Sequence, residues 1–374
     1  MLEVADVFRR YGEAYRNRFG RAMLPSHRRA FRDLLACRTP ALGGHVYVCD
    51  RCGRPQYAYH SCRNRHCPKC HGEDTEAWIE ARRRELLPVP YFHLVFTLPQ
   101  ELRGVVRRHQ KIGYGLLMRS AAGALMTLAA DPHYVGGLIG VLAVLHTWTR
   151  TLLYHPHVHC LVPAGGVSAD GHWRPARRRY LVPVKALSRI FRGRVREAMA
   201  RELPDVSVPD AVWKKEWVVY AKPAVQGADR TLTYLGRYVH RVALANSRLL
   251  AIEGGRVTFR YQPSGQTGWK TLTLEADEFI RRFLQHVLPE GVHKVRYYGL
   301  WSPARRGLLR RVQLALAWDA PTSVPDPAPA PVEGPLPAEG TPGPHPMQRR
   351  PCPLCGQGRL VWAGSLRPHA RAPP

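Results

Sequence analysis

Six of the nine cysteines in this chain fall within one short stretch, between Cys37 and Cys70. Cysteines at this density form disulfides in small secreted domains or bind metal in a reducing compartment. The N-terminus has no basic segment followed by an apolar one, so nothing indicates export and we expect a cytoplasmic protein. Metal binding is the better interpretation, and Zn²⁺ is the ion that thiolates at CxxC spacing usually bind.

Two CxxC pairs define the predicted zinc site. One pair is Cys49 and Cys52, the other is Cys67 and Cys70, and fourteen residues separate them. Two such pairs complete a tetrahedral site. A second, interleaved site is an open alternative, and its ligands would be Cys37, His45, Cys62 and His66.

A third CxxC pair, Cys352 with Cys355, lies near the C-terminus. Two thiolates alone do not complete a zinc site. His345, His369 or another chain would have to supply the remaining ligands, and the alternative is that this segment binds nothing.

The charge of the chain indicates a polyanionic partner. Lysine and arginine total 56 against 28 aspartate and glutamate, which gives a formal net charge of +28. An excess this large favours a polyanionic partner, and if that partner is DNA the protein would associate with the nucleoid. No apolar run approaches the roughly 18 residues of a membrane-spanning helix, so a membrane is not an expected partner.

The apolar patterning indicates helices around the cysteines and, from Tyr91 onward, a mixture of antiparallel strands and helices. This mixture predicts an α+β fold. No GxxxxGK[ST] phosphate-binding loop is present, so a nucleotide-driven motor is not expected. The predicted division is a helical zinc-binding domain at 1–88, a larger α+β domain at 89–318, a proline-rich linker at 319–350 and a C-terminal tail at 351–374.

The stretch "YHPHVHC" places histidines at alternate positions, His155, His157 and His159. In a strand, side chains two residues apart share a face. A lone strand histidine is usually a structural residue, but two or three on one face are typical of metal ligands. Imidazole suits several divalent metals, and open coordination positions would make the site catalytic.

The stretch "YLGRY" places Tyr234 and Tyr238 four residues apart on a predicted basic helix, with Cβ atoms roughly 6 Å apart on one face. Two aromatic core positions are the alternative explanation. Tyrosine can attack phosphorus when a metal stabilises the developing charge, and the product is a phosphotyrosine ester.

These motifs resemble those of a known family. His157-Val158-His159 resembles the His-hydrophobic-His motif of the HUH-superfamily single-strand DNA nucleases. Tyr234-Leu-Gly-Arg-Tyr238 resembles the paired tyrosines of the rolling-circle, two-tyrosine transposases of the insertion-sequence ninety-one family. "SCRNRHCPKC" is similar to that family's zinc-binding domain, and "HTWTRTLLYHPHVHC", "YLGRYVHRVALANSR" and "HKVRYYGLW" stand where its pattern has them.

The resemblance implies an HUH-type antiparallel sheet with flanking helices, preceded by the zinc-binding domain. It also implies that His157 and His159 hold Mg²⁺ or Mn²⁺ and that Tyr234 and Tyr238 are the nucleophiles. A third metal ligand is expected, for which His146 is the first choice, with His93 and His240 behind it.

The implied activity is a transposase that cuts and rejoins single-stranded DNA at element ends through 5′-phosphotyrosine intermediates. The zinc-binding domain is the candidate reader of those ends, and oligomerisation remains open. The candidate phosphate contacts, chosen by charge, are Arg150, Lys222, Arg237 and Arg241.

Two other classes of protein remain as alternatives. A zinc-dependent DNA-binding regulator would use the histidines and tyrosines structurally and would never become linked to DNA. A metal phosphohydrolase would use water as its nucleophile, and its tyrosines would stack on bases.

Overall fold

The computed structural model describes residues 2–70, 72–176, 181–223, 227–239, 244–263, 266–318 and 347–368. Within helix residues 227–239, the side chains of residues 227, 228, 234, 237 and 238 also lie outside the description.

Helices form on both sides of the cysteine-rich stretch and along the chain up to Trp318. The described helices are α1 (Val4–Phe19), α2 (Pro25–Ala36), α3 (Gly72–Arg83), α4 (Gln100–Arg108), α5 (Gln110–Ala130), α6 (Val184–Glu202), α7 (Asp210–Lys214), α8 (Gly227–Val239), α9 (Ala276–Leu284) and α10 (Arg306–Trp318).

The strands build small antiparallel sheets and one larger sheet. They are β1 (Gly44–Cys49), β2 (Pro55–Tyr59), β3 (Tyr91–Thr97), β4 (Gly140–Trp148), β5 (Tyr154–Pro163), β6 (Gly165–Val167), β7 (Trp173–Pro175), β8 (Val219–Pro223), β9 (Leu249–Glu253), β10 (Arg256–Tyr261), β11 (Lys270–Glu275), β12 (Val295–Gly299) and β13 (Leu360–Leu366).

The central sheet has five antiparallel strands in the order β12-β4-β5-β3-β8. Alternation along each strand divides the side chains between two faces. One face is mainly apolar and packs against α4, α5 and α6. Its residues on the three middle strands are Phe92, Leu94, Phe96, Val141, Ala143, Leu145, Val158, Cys160 and Val162.

The opposite face of the central sheet is apolar at one end and polar at the other. Leu142, Val144 and Leu161 lie at the apolar end and pack with residues of α3, α8 and α10. Histidines occupy the other end of β4 and β5, and His93 of β3 lies opposite Leu161. The predicted antiparallel sheet with flanking helices is therefore confirmed.

A separate core joins the N-terminal helices to the three-stranded sheet β9–β11. Phe8 of α1 contacts Phe31 of α2 and Phe283 of α9, with ring centroids 4.9 and 5.5 Å apart. Phe259 of β10 and Phe279 of α9 belong to the same core. The N-terminal helices therefore pack on a part of the chain more than two hundred residues away in sequence.

Within the described residues, α5 is long and apolar enough to span a membrane by length and composition. Of its most apolar window, 78% is buried inside the protein. It packs against α6, β4 and β5, which is the environment of a central core helix.

Candidate catalytic and metal-binding sites

Three histidines meet at the polar end of the central sheet, and we call them the histidine cluster: His146, His157 and His159. His146 on β4 lies directly opposite His157 on β5, and His159 follows on the same face. One ring nitrogen from each lies within 4.8 Å of the others. The rings of His146 and His159 have centroids only 4.1 Å apart.

Hydrogen bonds set the ring orientations in this cluster. Nδ1 of His157 lies 2.7 Å from the carbonyl oxygen of His155, so Nδ1–H donates and the lone pair is on Nε2. Nδ1 of His159 lies 2.8 Å from Nε2 of His93. If His159 donates in that contact, its own Nε2 also carries the lone pair, and this is how metal-binding imidazoles are commonly oriented.

Burial keeps the cluster neutral. It lowers the pKa of His157 to about 4, and it lowers the pKa values of His146 and His159 well below the ordinary range. His93 beside the cluster has a pKa of about 4, again chiefly through burial and then through the charge of Lys222. At neutral pH these imidazoles therefore carry lone pairs that can bind a cation.

Trp148 and Lys294 extend the site beyond the histidines. The Trp148 ring stacks on His146 at 5.4 Å, and Nζ of Lys294 lies 4.7 Å from the centre of the Trp148 ring. Burial, and then the charge of Arg65, lowers the pKa of Lys294 to about 7. Sequence reasoning had not singled out Lys294, although it follows His293 in the quoted stretch "HKVRYYGLW".

The candidate phosphate contacts separate into near and distant residues. Lys222 on β8 is exposed and lies opposite His93. Arg150 is also exposed, but its guanidinium donates to the carbonyl oxygen of Gln262, 2.6 Å away. The sequence analysis did not identify Arg103 on α4. Burial lowers the pKa values of His155 and His157, and the charge of Arg103 lowers them further, so Arg103 lies near these histidines.

Helix α8, which carries "YLGRY", crosses the face of the sheet that bears the histidines and contacts β3, β4 and β5. Leu232 and Leu235 belong to the same buried core as Val144 and Leu161. Val144 is two residues before His146 and Leu161 two residues after His159, so the helix packs directly beside the cluster. The side chains of Tyr234, Arg237 and Tyr238, and all of His240 and Arg241, lie outside the described residues.

A glycine brings α8 close to α3. A Cβ atom on Gly236 would lie 2.5 Å from Cγ1 of Ile79, closer than two carbon atoms can approach. Gly236 is the middle residue of "YLGRY", so the same five residues carry both tyrosines and the helix contact that positions them.

Eight of the nine cysteines form two clusters in the described structure. The first cysteine cluster contains Cys37, Cys62, Cys67 and Cys70, and the second contains Cys49, Cys52, Cys352 and Cys355. None of these cysteines forms a disulfide. In the first cluster the Sγ atom of Cys70 lies 3.5 Å from that of Cys37 and 3.7 Å from that of Cys62.

The predicted site made of Cys49, Cys52, Cys67 and Cys70 is therefore wrong in its grouping. Strands β1 and β2 form a hairpin whose turn carries the Cys49–Cys52 pair. The six residues of β1 span about 20 Å. The Cys49–Cys52 pair therefore lies far from the open end of the hairpin. Cys37 and Cys62 flank the open end and join the Cys67–Cys70 pair there.

The predicted second site is corrected in the same way. Cys37 and Cys62 do share a cluster, but His45 and His66 are outside both cysteine clusters. His66 is buried, and its Nε2 accepts a hydrogen bond from the backbone N–H of Leu288, 3.0 Å away. Cys352 and Cys355 find their partners in Cys49 and Cys52, whereas His345 and His369 lie outside the described residues.

Two family models match this chain. One, described as "Transposase zinc-binding domain" of the IS91 type, covers residues 7–98, which include the whole first cysteine cluster. The other, described as "Putative transposase", covers residues 140–307, which include the histidine cluster and α8. The fold and the two kinds of cluster thus belong to a transposase that carries a zinc-binding domain.

Relatives with similarity over most of the chain agree with this class. "Putative transposase y4qJ" of Sinorhizobium fredii (strain NBRC 101917 / NGR234) is 43% identical over 96% of this chain and 94% of its own. "Transposase for insertion sequence element IS801" of Pseudomonas savastanoi pv. phaseolicola is 28% identical over 89% of this chain and 82% of its own. No solved structure matches significantly. The chain belongs to the IS91 family of transposases.

Proposed function

We propose that this transposase cuts and rejoins single-stranded DNA at the ends of its insertion element through 5′-phosphotyrosine intermediates, in the manner of the HUH superfamily. The observation that carries the proposal is the helix bearing two tyrosines, which packs beside three clustered, neutral histidines on one face of the sheet. A non-catalytic regulator has no need of that combination.

In this proposal the histidine cluster holds Mg²⁺ or Mn²⁺. The neutral rings of His146, His157 and His159 offer three nitrogen ligands from two strands, and three protein ligands leave positions open for phosphate oxygens. The ion would polarise the scissile phosphate and stabilise the charge that develops on it. His93 holds the ring of His159, and His155 holds that of His157 through its backbone carbonyl.

The proposed nucleophiles are the hydroxyl groups of Tyr234 and Tyr238. The phenolic oxygen forms a bond to phosphorus, the bond from phosphorus to the 3′-oxygen breaks, and the phenol's proton ends on the departing oxygen. The DNA 5′-phosphate then remains on the protein. Two nucleophiles permit two esters, so one tyrosine can cut the donor strand and the other the target or second end.

Cationic side chains around the cluster are the proposed contacts to the DNA backbone. Lys222 beside His93 and Arg103 near His157 are the best placed in the described structure. Arg237 on α8, Arg241, which lies outside the described residues, and Arg150 remain proposals by charge. The first cysteine cluster is the proposed structural Zn²⁺ site of the family's zinc-binding domain.

The proposal is tested with end-labelled single-stranded DNA that carries the element's end. The full chain with Mg²⁺ or Mn²⁺ should form a covalent adduct that survives SDS, joined through a 5′-phosphate. A fully paired duplex of the same sequence should be cut much less, because strand transfer needs an accessible backbone. Binding should weaken steeply as salt rises.

Single and double tyrosine variants separate the roles of the nucleophiles. Tyr234→Phe or Tyr238→Phe should leave some cleavage but impair complete transposition, and the double variant should form no adduct. Tyr297→Phe is the matched control, because the Tyr297 hydroxyl accepts hydrogen bonds from Trp78 and Arg82 and serves packing. A double variant that forms adducts at the normal rate would exclude these nucleophiles.

The second candidate chemistry is hydrolysis by water at the same metal. It would release free 5′-phosphates with turnover and would leave no label on the protein. Phenylalanine at both tyrosine positions would then weaken DNA binding but leave the bond-breaking step intact.

A further inference from the structure

We propose that the second cysteine cluster binds its own Zn²⁺ ion and clasps the C-terminal segment onto the N-terminal zinc-binding domain. Cys49 and Cys52 lie within the matched zinc-binding domain, but Cys352 and Cys355 lie beyond both matched regions. The site is therefore closed by a part of the chain that neither family model describes.

The sulfur positions fit a tetrahedral thiolate site. Sγ of Cys49 lies 3.7 Å from Sγ of Cys355, and Sγ of Cys52 lies 3.9 Å from Sγ of Cys352. Four thiolates at the usual Zn–S distance of about 2.3 Å are separated by about 3.8 Å along each tetrahedral edge. A disulfide would require sulfurs about 2.05 Å apart. These separations therefore favour a shared metal ion.

The two halves of the site have the same local structure. Each CxxC pair is followed by a glycine, Gly53 or Gly356, and both glycines have φ of 67°. The N–H of Gly53 donates to the carbonyl oxygen of Cys49 at 3.0 Å, and the N–H of Gly356 donates to that of Cys352 at 2.9 Å. Positive φ favours glycine, and the tight turn places both thiols of a pair on one side.

Backbone groups also point at the sulfurs. The N–H of Cys52 donates to Sγ of Cys49 at 3.5 Å, and the N–H of Gly358 donates to Sγ of Cys355 at 3.4 Å. Hydrogen bonds of this kind orient the side chains that bind a metal. In both pairs the accepting sulfur is bound by the N–H three residues later, but it belongs to the first cysteine of one pair and to the second cysteine of the other.

The two halves approach each other closely at Gly358. A Cβ atom there would lie 2.3 Å from Sγ of Cys49. Next to it, the backbone N–H of Arg359 donates to the Asp50 carboxylate at 2.8 Å, and the Asp50 N–H donates to the Arg359 carbonyl at 3.0 Å. The C-terminal half thus fits against the N-terminal half through contacts that need glycine at this position.

A metal is needed because the apolar core of this unit is very small. Its buried residues are Tyr47, Cys49, Cys352 and Leu360. Strand β13 pairs with β1, but three strands with so little buried apolar area rarely fold alone. Zinc supplies folding free energy directly in small units of this kind.

The clasp joins distant parts of the chain. Helix α10 ends at Trp318, and the C-terminal segment is described again from residue 347, on the zinc-binding domain. Zinc at the second cluster would therefore hold residues 347–368 on the zinc-binding domain. Loss of the ion should release the tail from β1.

The test is the zinc content of the purified full chain in reducing buffer, measured by elemental analysis. We expect about two zinc ions per chain. The double variant Cys352→Ala with Cys355→Ala should retain about one, and residues 347–368 should become sensitive to protease. Cys160→Ala is the matched control, because Cys160 is buried in β5 outside both clusters, and it should keep the full zinc content.

If the double variant loses one zinc ion and retains the other, the loss is due to the second cluster and not to general unfolding. Retention of the full zinc content in the double variant would overturn the proposal. The proposal would also be overturned if light scattering gave the double variant half the molecular mass of the unmodified protein. That result would mean that the tails are exchanged between two chains. None of these readouts depends on DNA cleavage.

A second variant covers the case in which the double alanine variant does not fold. Cys355→His keeps a ligand of the right kind, so we expect the metal content to be retained. In protein loaded with Co²⁺, exchange of one thiolate for imidazole should shift the visible absorption of one site. An unchanged cobalt spectrum would show that Cys355 is not a ligand.

Discussion

The Nε2 atom of His93 lies 2.8 Å from the Nδ1 atom of His159, on neighbouring strands of the central sheet. His93 is not a member of the histidine cluster, yet it holds the ring of a member. The structure brings His146, and not His93, together with His157 and His159. We therefore propose that His93 positions a metal ligand.

We expect His93→Ala to weaken the activating metal's affinity by about 10- to 100-fold, as is usual when a partner of a metal-binding histidine is lost. The Mn²⁺ concentration that gives half-maximal cleavage should rise, and the full cleavage rate should return at saturating Mn²⁺. His155→Ala is the control, because it keeps the backbone carbonyl that binds His157 and removes only a ring contact at 5.1 Å between centroids. Equal shifts in both variants would argue against the specific role of His93.

The activating metal and the structural zinc should be separable. Oxygen-rich phosphoryl chemistry suits Mg²⁺ or Mn²⁺, whereas thiolate clusters retain Zn²⁺ far more tightly. Brief dialysis against EDTA should abolish cleavage while elemental analysis still finds zinc. Cleavage that neither Mg²⁺ nor Mn²⁺ restores would contradict the assignment of the histidine cluster.

The contact between Gly236 and Ile79 should be sensitive to size. Gly236→Ala adds a methyl group where Cγ1 of Ile79 lies 2.5 Å away, and overpacking of this kind costs about 1 to 3 kcal/mol. Ile79→Ala removes the obstructing atoms, so Gly236→Ala should cost less in that background. Urea unfolding of the unmodified protein, the two single variants and the double variant gives the coupling energy. Strict additivity of the changes in the free energy of unfolding would mean that the two residues do not touch.

The buried His286 should make stability depend on pH. Burial lowers its pKa to about 3, against about 6.5 in the unfolded chain. Between these values only the unfolded state binds the proton, so the free energy of unfolding falls as pH falls, by up to about 1.4 kcal/mol per pH unit. Above pH 6.5 this contribution is fully present.

Urea unfolding at pH 7 and pH 5 measures this effect, with His286→Asn as the comparison. Acid release of zinc affects both proteins. The difference between their changes in the free energy of unfolding from pH 7 to pH 5 therefore isolates His286. The variant should lose less stability on acidification. Equal changes in the free energy of unfolding in the two proteins would contradict the lowered pKa of His286.

The main features of the site could be predicted because local rules governed them. Period-two alternation placed His157 and His159 on one face, and the tendency of consecutive strands to pair brought His146 beside them. The predicted helix around "YLGRY" is described as α8, from Gly227 to Val239.

The cysteine grouping could not be predicted in the same way. CxxC spacing identifies each pair but does not determine which pairs meet, and that depends on the β1–β2 hairpin and on β13 returning to β1. The contact of His93 with His159 depends on strand register, and the burial of Lys294 on tertiary packing. None of these is encoded within a short stretch of sequence.

Identification of the residue that becomes linked to DNA tests the central claim most directly. Trypsin cuts after Arg230, Arg237 and Arg241, so Tyr234 and Tyr238 fall in different peptides, "TLTYLGR" and "YVHR". The adduct is digested with nuclease and then with trypsin, and mass spectrometry locates the remaining nucleotide. We predict a 5′-phosphate ester on one or both of these peptides, absent from the His157→Ala, His159→Ala double variant. A nucleotide carried by any other peptide would contradict the account.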